Sequence, residues 1–212
     1  MKIVRLDKER LKDFQSLYID FFRELRGNQG WNMHPEIEHM EDARRFFERG
    51  DIILLALEND EAIGFIRVSS REGAFWIEEI YVRPEMRGKG AGRELVRRAE
   101  EEVLKREISL YLYVLPQDKR AIRFWKKMGY DIINTLELVR DLRPTRRLER
   151  TRTVELLGEK FRMFRWEKEE IDQLEERFSR LLEEFYKSGG TREELLKLMN
   201  EAIERWMENR KT

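Results

Sequence analysis

Residues 82–92, V-R-P-E-M-R-G-K-G-A-G, place three glycines between a β-forming run and an amphipathic helix, and few architectures accommodate that transition. Upstream, Ala74 to Val82 (A-F-W-I-E-E-I-Y-V) is dense in aromatic and β-branched residues, and Pro84 cannot donate to a further ladder. Downstream, Leu95, Val96 and Ala99 recur at helical spacing among charges. Arg87, Gly88, Lys89, Gly90, Ala91 and Gly92 therefore belong at a helix N-terminus. The first N–H groups of a helix have no intrahelical partner, and the dipole there is positive, so the segment suits an anion such as a pyrophosphate. Glycine also lets a ligand approach the backbone closely.

The spacing is neither that of a nucleotide P-loop, G-x-x-x-x-G-K-[ST], nor that of a dinucleotide fingerprint, G-x-G-x-x-G. Taken alone, such a turn also occurs without any ligand. What stands here is Arg-x-x-Gly-x-Gly at Arg87, Gly90 and Gly92, preceded by Val82-x-Pro84. A second block follows: Ile108 to Leu115 (I-S-L-Y-L-Y-V-L), then Asp118, Ala121, Phe124, Trp125, Gly129 and Tyr130. Together the blocks resemble the GCN5-related N-acetyltransferases (GNAT), over about residues 1–166 and most strongly over 75–130. Two departures stand out. Asp118 takes the place of the usual Asn, and Trp125 that of the usual Tyr.

The resemblance implies acetyl-CoA as co-substrate, with no metal. It implies a cofactor site formed by Ile80, Tyr81 and Val82 of the strand, by the loop from Arg87 through Gly88, Lys89, Gly90 and Ala91 to Gly92, and by Asp118, Ala121, Phe124 and Trp125. A backbone N–H at Tyr81 or Val82 is expected to face the thioester oxygen. Where the family places a tyrosine that protonates the departing sulfur, Trp125 has an indole whose proton is not transferable near neutrality. Tyr81, Tyr113, Tyr130 or water would then stand in, or Trp125 is core packing and activity is weak.

A free alkylamine titrates near ~10, so transfer at neutral pH needs a base. Glu78 and Glu79 are the candidate catalytic residues, set between Trp76-Ile77 and Ile80-Tyr81 in an otherwise apolar strand. A carboxylate there is costly unless paired or functional. Regular alternation puts the two on opposite faces, so at most one is expected in the acceptor cleft, with a raised pKa. Similarity to spermidine- and spermine-type acetyltransferases favours Glu78, acting through water. The bland alternative is a pair of salt-bridged or solvated glutamates. On the acceptor side, Trp31 and His34 in the loop Gly27 to Pro35 are candidate substrate-binding residues, and Asp20, Glu24, Glu36 and Glu38 are candidate attractors for a cation. The acceptor implied is a small-molecule or protein amine. A non-catalytic acyl-CoA-binding module is the competing function.

The remaining pattern sets an architecture. A strand at Lys2 to Leu6, a helix opened by Asp7, a helix from Glu36 to Arg49 ended by Gly50, and strands over Asp51 to Glu58 and Glu61 to Ser69 around an Asn59-Asp60 turn precede the glycine loop. After it come a helix to about Arg106, the Ile108 strand, a helix from Gln117 to Met128, and strands near Asp131 to Val139 and Lys160 to Arg165. The fold class expected is α/β, a central mixed β-sheet of about seven strands with helices on both faces. Domains are expected at 1–166 and 167–212, the second a C-terminal helical hairpin with seams at Ile171, Leu174, Phe178, Leu181 and Phe185 and at Leu195, Met199, Ala202 and Trp206. Those seams suit packing within the chain or a homodimer.

Composition excludes several classes. With 43 basic and 43 acidic residues the formal net charge is zero, which argues against a dedicated nucleic-acid binder despite the basic stretch Arg143 to Arg152. No cysteine is present, so disulfides and thiolate catalysis are absent. The N-terminal residues lack a signal-peptide run and no long apolar stretch exists, so a cytoplasmic protein without membrane partners is expected. A charged fraction of 41% leans toward a thermophile.

Overall fold

The computed structural model describes residues 1–140, 142, 151–165, 178 and 181–208. The chain divides into two compact units, Met1–Trp166 and Glu167–Thr212. In the first, β1 (Lys2–Arg5), β2 (Ile52–Glu58), β3 (Glu61–Arg71), β4 (Ala74–Val82) and β5 (Leu110–Leu112) form one sheet in that order. The first four strands are antiparallel to their neighbours, and β5 is parallel to β4. Helices α1 (Leu11–Gln29) and α2 (Glu36–Arg49) connect β1 to β2, and α3 (Ala91–Leu104) connects β4 to β5, with α4 (Lys119–Lys127) following.

Burial on both faces explains why β2 reads I-I-L-L-A-L without polar alternation. Ile52, Leu54 and Ala56 pack with Leu95, Val96, Ala99 and Val103 of α3 and Trp125 of α4. Ile53, Leu55 and Leu57 pack with Phe14, Leu17 and Tyr18 of α1 and Ala43 of α2. Period-2 alternation thus supplies two cores from one strand. The mixed sheet with helices on both faces is the class expected.

Several details differ from the expectations. Among the described residues there are seven strands, of which the central sheet holds five; β6 (Thr151–Leu156) and β7 (Glu159–Phe164) form a separate hairpin. No strand forms over 131–139, where Ile132 and Ile133 are exposed. A β-forming run becomes a strand only where a neighbouring edge supplies ladder partners, and β5 offers just Leu110–Leu112. Gly27 to Gln29, expected in a loop, continue α1. That helix ends instead at left-handed Gly30, with Gly30 N–H on the Gly27 carbonyl at 3.2 Å and Trp31 N–H on the Arg26 carbonyl at 2.9 Å. Gly50 closes α2 the same way. Asp7 does cap the turn before α1, accepting from Arg10 N–H at 3.0 Å.

In the second unit residues 181–187 are helical and α5 spans Arg192–Glu208. The expected capping box is present: Glu194 accepts from Thr191 N–H at 2.9 Å and donates its own N–H to the Thr191 hydroxyl at 3.3 Å. Phe178, Leu181, Leu182, Phe185 and Leu195 line one apolar hollow. Ile171, Leu174 and most of the basic stretch lie outside the described residues. Among the described residues no helix is long and apolar enough to cross a membrane.

The α1–α2 contact contains an unusual buried group. His39 is 4% exposed, stacks on Phe22 at 4.6 Å, meets Tyr18 edge-on, and has no hydrogen-bond partner at either ring nitrogen. Burial lowers its pKa; Asp42 and Glu38 oppose the shift, while His34 and Arg26 reinforce it. A folded pKa below the unfolded one means that the unfolded chain binds the extra proton. Stability is then complete above about pH 6.5 and falls as pH drops through and below that value. Thermal melts between pH 8 and 5 should show His39→Phe losing less stability on acidification than the parent; parallel pH profiles would refute the assignment.

Candidate active site

Between Arg67 and Val68 the β3–β4 register slips: Arg67 opposes Glu79 and Val68 opposes Ile77, so Glu78 is one residue too many. Before this bulge Phe75 and Ile77 face α3; after it Ile80 and Val82 do. The slip turns both Glu78 and Glu79 toward the face that carries Phe65 and Arg67 of β3. The expectation that they face opposite sides is therefore corrected. It assumed an unbroken two-residue period, which a bulge interrupts.

The two carboxylates have different partners. Arg67 grips Glu79 with two hydrogen bonds, Nε to Oε2 and Nη2 to Oε1, both 2.6 Å, and reaches Asp51 Oδ2 at 2.7 Å with Nη1. Its guanidinium lies 3.7 Å from the centroid of the Phe46 ring. Arg67 and Glu79 are 5% and 10% exposed, so this is a buried network. Burial pushes the Glu79 carboxyl up, opposed by Arg67. Glu78 accepts from the buried Ser69 hydroxyl and from Arg71, whose Nε lies 2.7 Å from Oε1 and whose Nη2 bonds Oε2. Arg67, Ser69 and Arg71 escaped the sequence reading. The alternate spacing of R-V-S-S-R at 67–71, opposite a strand with two glutamates, was the available signal.

Glu78 also begins the stretch where β4, still paired with β3, is no longer paired with β5. The β4–β5 pairing covers Phe75↔Leu110, Trp76↔Tyr111 and Ile77↔Leu112, whereas β4 continues to Val82. Among the described residues no strand pairs with that edge of β4 beyond Ile77. The glycine loop follows directly. Pro84–Met86 make a single 3-10 turn, Gly88 and Gly90 are left-handed (φ 81° and 92°), and Gly90 is the N-cap of α3 without any side-chain cap. A Cβ at Gly88 or Gly90 would meet nothing within 4 Å, so the space before the helix is open. Arg87 turns inward: Nε donates to the Val82 carbonyl at 2.7 Å, Nη2 pairs with Glu24, and the guanidinium lies over Tyr81. Lys89 reaches Met86 Sδ at 3.7 Å.

The second block closes beside this loop. Asp118 caps α4, accepting from Ala121 N–H at 2.8 Å, as the Asn it replaces would by its side-chain oxygen. Phe124 lies beside Gly92, where a Cβ would sit 3.5 Å from its ring. Trp125 is 6% exposed in the α3-side core, edge-on to Phe124 and Tyr130. Tyr130 donates to Glu100 at 3.0 Å, and burial followed by Glu100 drives its pKa upward. Tyr81 is buried, and burial raises its pKa as well. Trp31 and His34 have local partners of their own. Trp31 is exposed under the Arg26 guanidinium, and His34 Nδ1 is 3.6 Å from Glu38. Asp20, Glu24 and Glu36 are taken up by Arg23 and Arg87.

Comparison with known proteins agrees with this layout. Residues 11–130 match the model of the Acetyltransferase (GNAT) family. An uncharacterised N-acetyltransferase of Archaeoglobus fulgidus is 29% identical over 138 residues, covering 59% of this chain and 89% of its own. The peptidyl-lysine N-acetyltransferase YjaB of Escherichia coli is 28% identical over 137 residues, covering 64% and 88%. The solved aminoglycoside N-acetyltransferase AAC(6')-Iy in complex with CoA superposes with a TM-score of 0.54 at 17% identity, covering 66% of this chain and 94% of that one.

The two arginine pairs should respond differently to truncation. Arg67→Met leaves Glu79 and Asp51 buried without their cation and should cost about 3–5 kcal/mol. Arg71→Gln opens a half-exposed pair and should cost no more than about 1 kcal/mol. Urea unfolding of both variants checks the ranking, and equal losses would contradict it.

Proposed function

The chain belongs to the acetyltransferase (GNAT) family, and from that premise we propose that it moves an acetyl group from acetyl-CoA to a primary amine, with Glu78 as general base. The single observation that carries this reading is the coincidence, at one end of β4, of an open glycine-lined helix N-terminus and a carboxylate bent by a bulge to where β4 and β5 part.

The residues fit the donor. The first-turn N–H groups of α3 would hold the pyrophosphate, with left-handed Gly88 and Gly90 keeping the approach clear. Arg87 serves from behind, fastening the loop to Val82 and to Glu24 of α1. The unpaired edge of β4 over Ile80, Tyr81 and Val82 supplies backbone donors for the thioester oxygen. Asp118 and Ala121 shape the start of α4, and Phe124 lines the loop side. Acetyl-CoA brings the activated acyl group.

Glu78 takes one proton of the acceptor ammonium, directly or through water, and the neutral amine then attacks the acyl carbon; as the carbon–sulfur bond breaks, the second proton on nitrogen passes to water. Glu79 is structural, being locked to buried Arg67. The sulfur departs as thiolate, which at pH 7 costs about 2 kcal/mol for a thiol of pKa about 8.5. This matches the placement of Trp125 and Tyr130 within the α3-side core. The E. coli relative's name points to lysine side chains as one kind of acceptor.

Calorimetry with acetyl-CoA, followed by thiol release over an amine panel, tests the proposal. Glu78→Gln should lower kcat by about 10²-fold or more while leaving acetyl-CoA affinity within about threefold. Gly90→Val should do the reverse, because a β-branched residue cannot readily adopt the left-handed cap. Acetyl-CoA binding without turnover would favour the non-catalytic acyl-CoA-binding module, and an unchanged rate in Glu78→Gln would remove Glu78 as base.

A further inference from the structure

Two arginine–glutamate pairs lie side by side on one face of the sheet, and they differ in what opening them would require. Arg67 is sealed between Asp51, Glu79 and the Phe46 ring. Arg71, by contrast, is 50% exposed while the Glu78 side chain that it covers is 11% exposed. The carboxylate is thus paired with a cation that can leave without unpacking the core. A half-exposed ion pair of this kind is held weakly.

The surroundings of Arg71 suit a cation of another origin. Its guanidinium lies 5.7 Å from the centroid of Trp76, within cation–π range, while donating to Glu78. Trp76 is stacked on Tyr113 at 4.9 Å and lies 5.1 Å from Tyr111, so the aromatic surface continues outward from the carboxylate. Ser69 donates to Glu78 and helps to orient it. The arrangement sits at the parting of β4 and β5, since Glu78 follows Ile77 and Tyr113 follows Leu112, the last paired residues.

We propose that Arg71 is a resident cation in the acceptor site, holding the place at Glu78 and over Trp76 that the ammonium of an unbranched alkylamine takes when it enters. This rests on the reading of Glu78 as the base of the transfer. The exchange is cation for cation, so local charge is conserved and no bond or proton moves. The incoming ammonium pairs with Glu78, its methylenes lie along Trp76 and Tyr113, and Arg71 swings into solvent. The site selects against amines carrying a neighbouring carboxylate, which Glu78 would repel. Arg71 acts as a built-in competitor that keeps the base covered until an acceptor arrives.

Titration of the full chain with n-butylammonium chloride, followed by NMR, reads the competition without any need for turnover. Arg71→Gln should bind about fivefold more tightly than the parent, the gain expected from removing a weakly held competitor. Trp76→Leu should bind about threefold or more weakly. Arg71→Lys, which keeps a cation in place, should stay within about twofold of the parent and separates charge competition from lost packing. Equal or weaker binding by Arg71→Gln, or no binding by any variant, would overturn the proposal. Thiol release judges the transfer reaction separately: tighter binding in Arg71→Gln without turnover would sink the transfer and leave this site standing, and turnover with no effect of Arg71→Gln on binding would do the opposite.

Discussion

Where Arg67 and Val68 of β3 face β4, one extra residue is taken up, and the phase of the whole strand changes at that point. Phe75 and Ile77 on one side of the bulge, and Ile80 and Val82 on the other, can all reach the α3 core because Glu78 absorbs the shift. Without it, the residues after Glu78 would exchange faces, placing Tyr81 toward α3 and Ile80 toward α1. The same extra residue brings two glutamates to one face, so each must find its own cation. The bulge is thus both a packing device and the origin of the carboxylate pair.

Arg67 makes that arrangement tolerable. A charge so deeply buried requires compensation, and it receives two carboxylates and an aromatic face. Its bond to Asp51, just beyond the cap of α2, ties that helix's end to β3 and β4. The rigidity of this corner is what distinguishes Glu79 from Glu78. Neighbouring residues of one type on one face are about equally covered but differently paired, Glu79 with a buried arginine and Glu78 with a half-exposed one.

In the function proposed above, the donor and acceptor sides are built on different materials. Around the glycine loop the useful groups are backbone N–H donors, and the one conspicuous side chain, Arg87, is spent on holding the loop in place. Around Glu78 the useful groups are side chains from three strands: Ser69 and Arg71, Trp76, and Tyr111 with the adjoining Tyr113.

Much of this was legible in the sequence. The boundaries Ala74–Val82 of β4 coincide with its β-forming run, Gly50 ends α2, and the two-residue turn at Asn59-Asp60 joins β2 to β3, since each depends on local stereochemistry. The glycine loop, the Asp118 cap and the helix faces are local in the same sense. What a one-dimensional pattern lacks is the identity of the partner across the sheet. The register slip that unites Glu78 and Glu79 arises from pairing with β3; the fate of 131–139 depends on an edge three residues long; Trp125 packs against a helix some thirty residues earlier in the chain. Local chemistry determined which segments become strands, turns and caps, whereas tertiary structure alone decided which glutamate pairs with a buried arginine and which with a half-exposed one, because burial and pairing are properties of distant residues brought together.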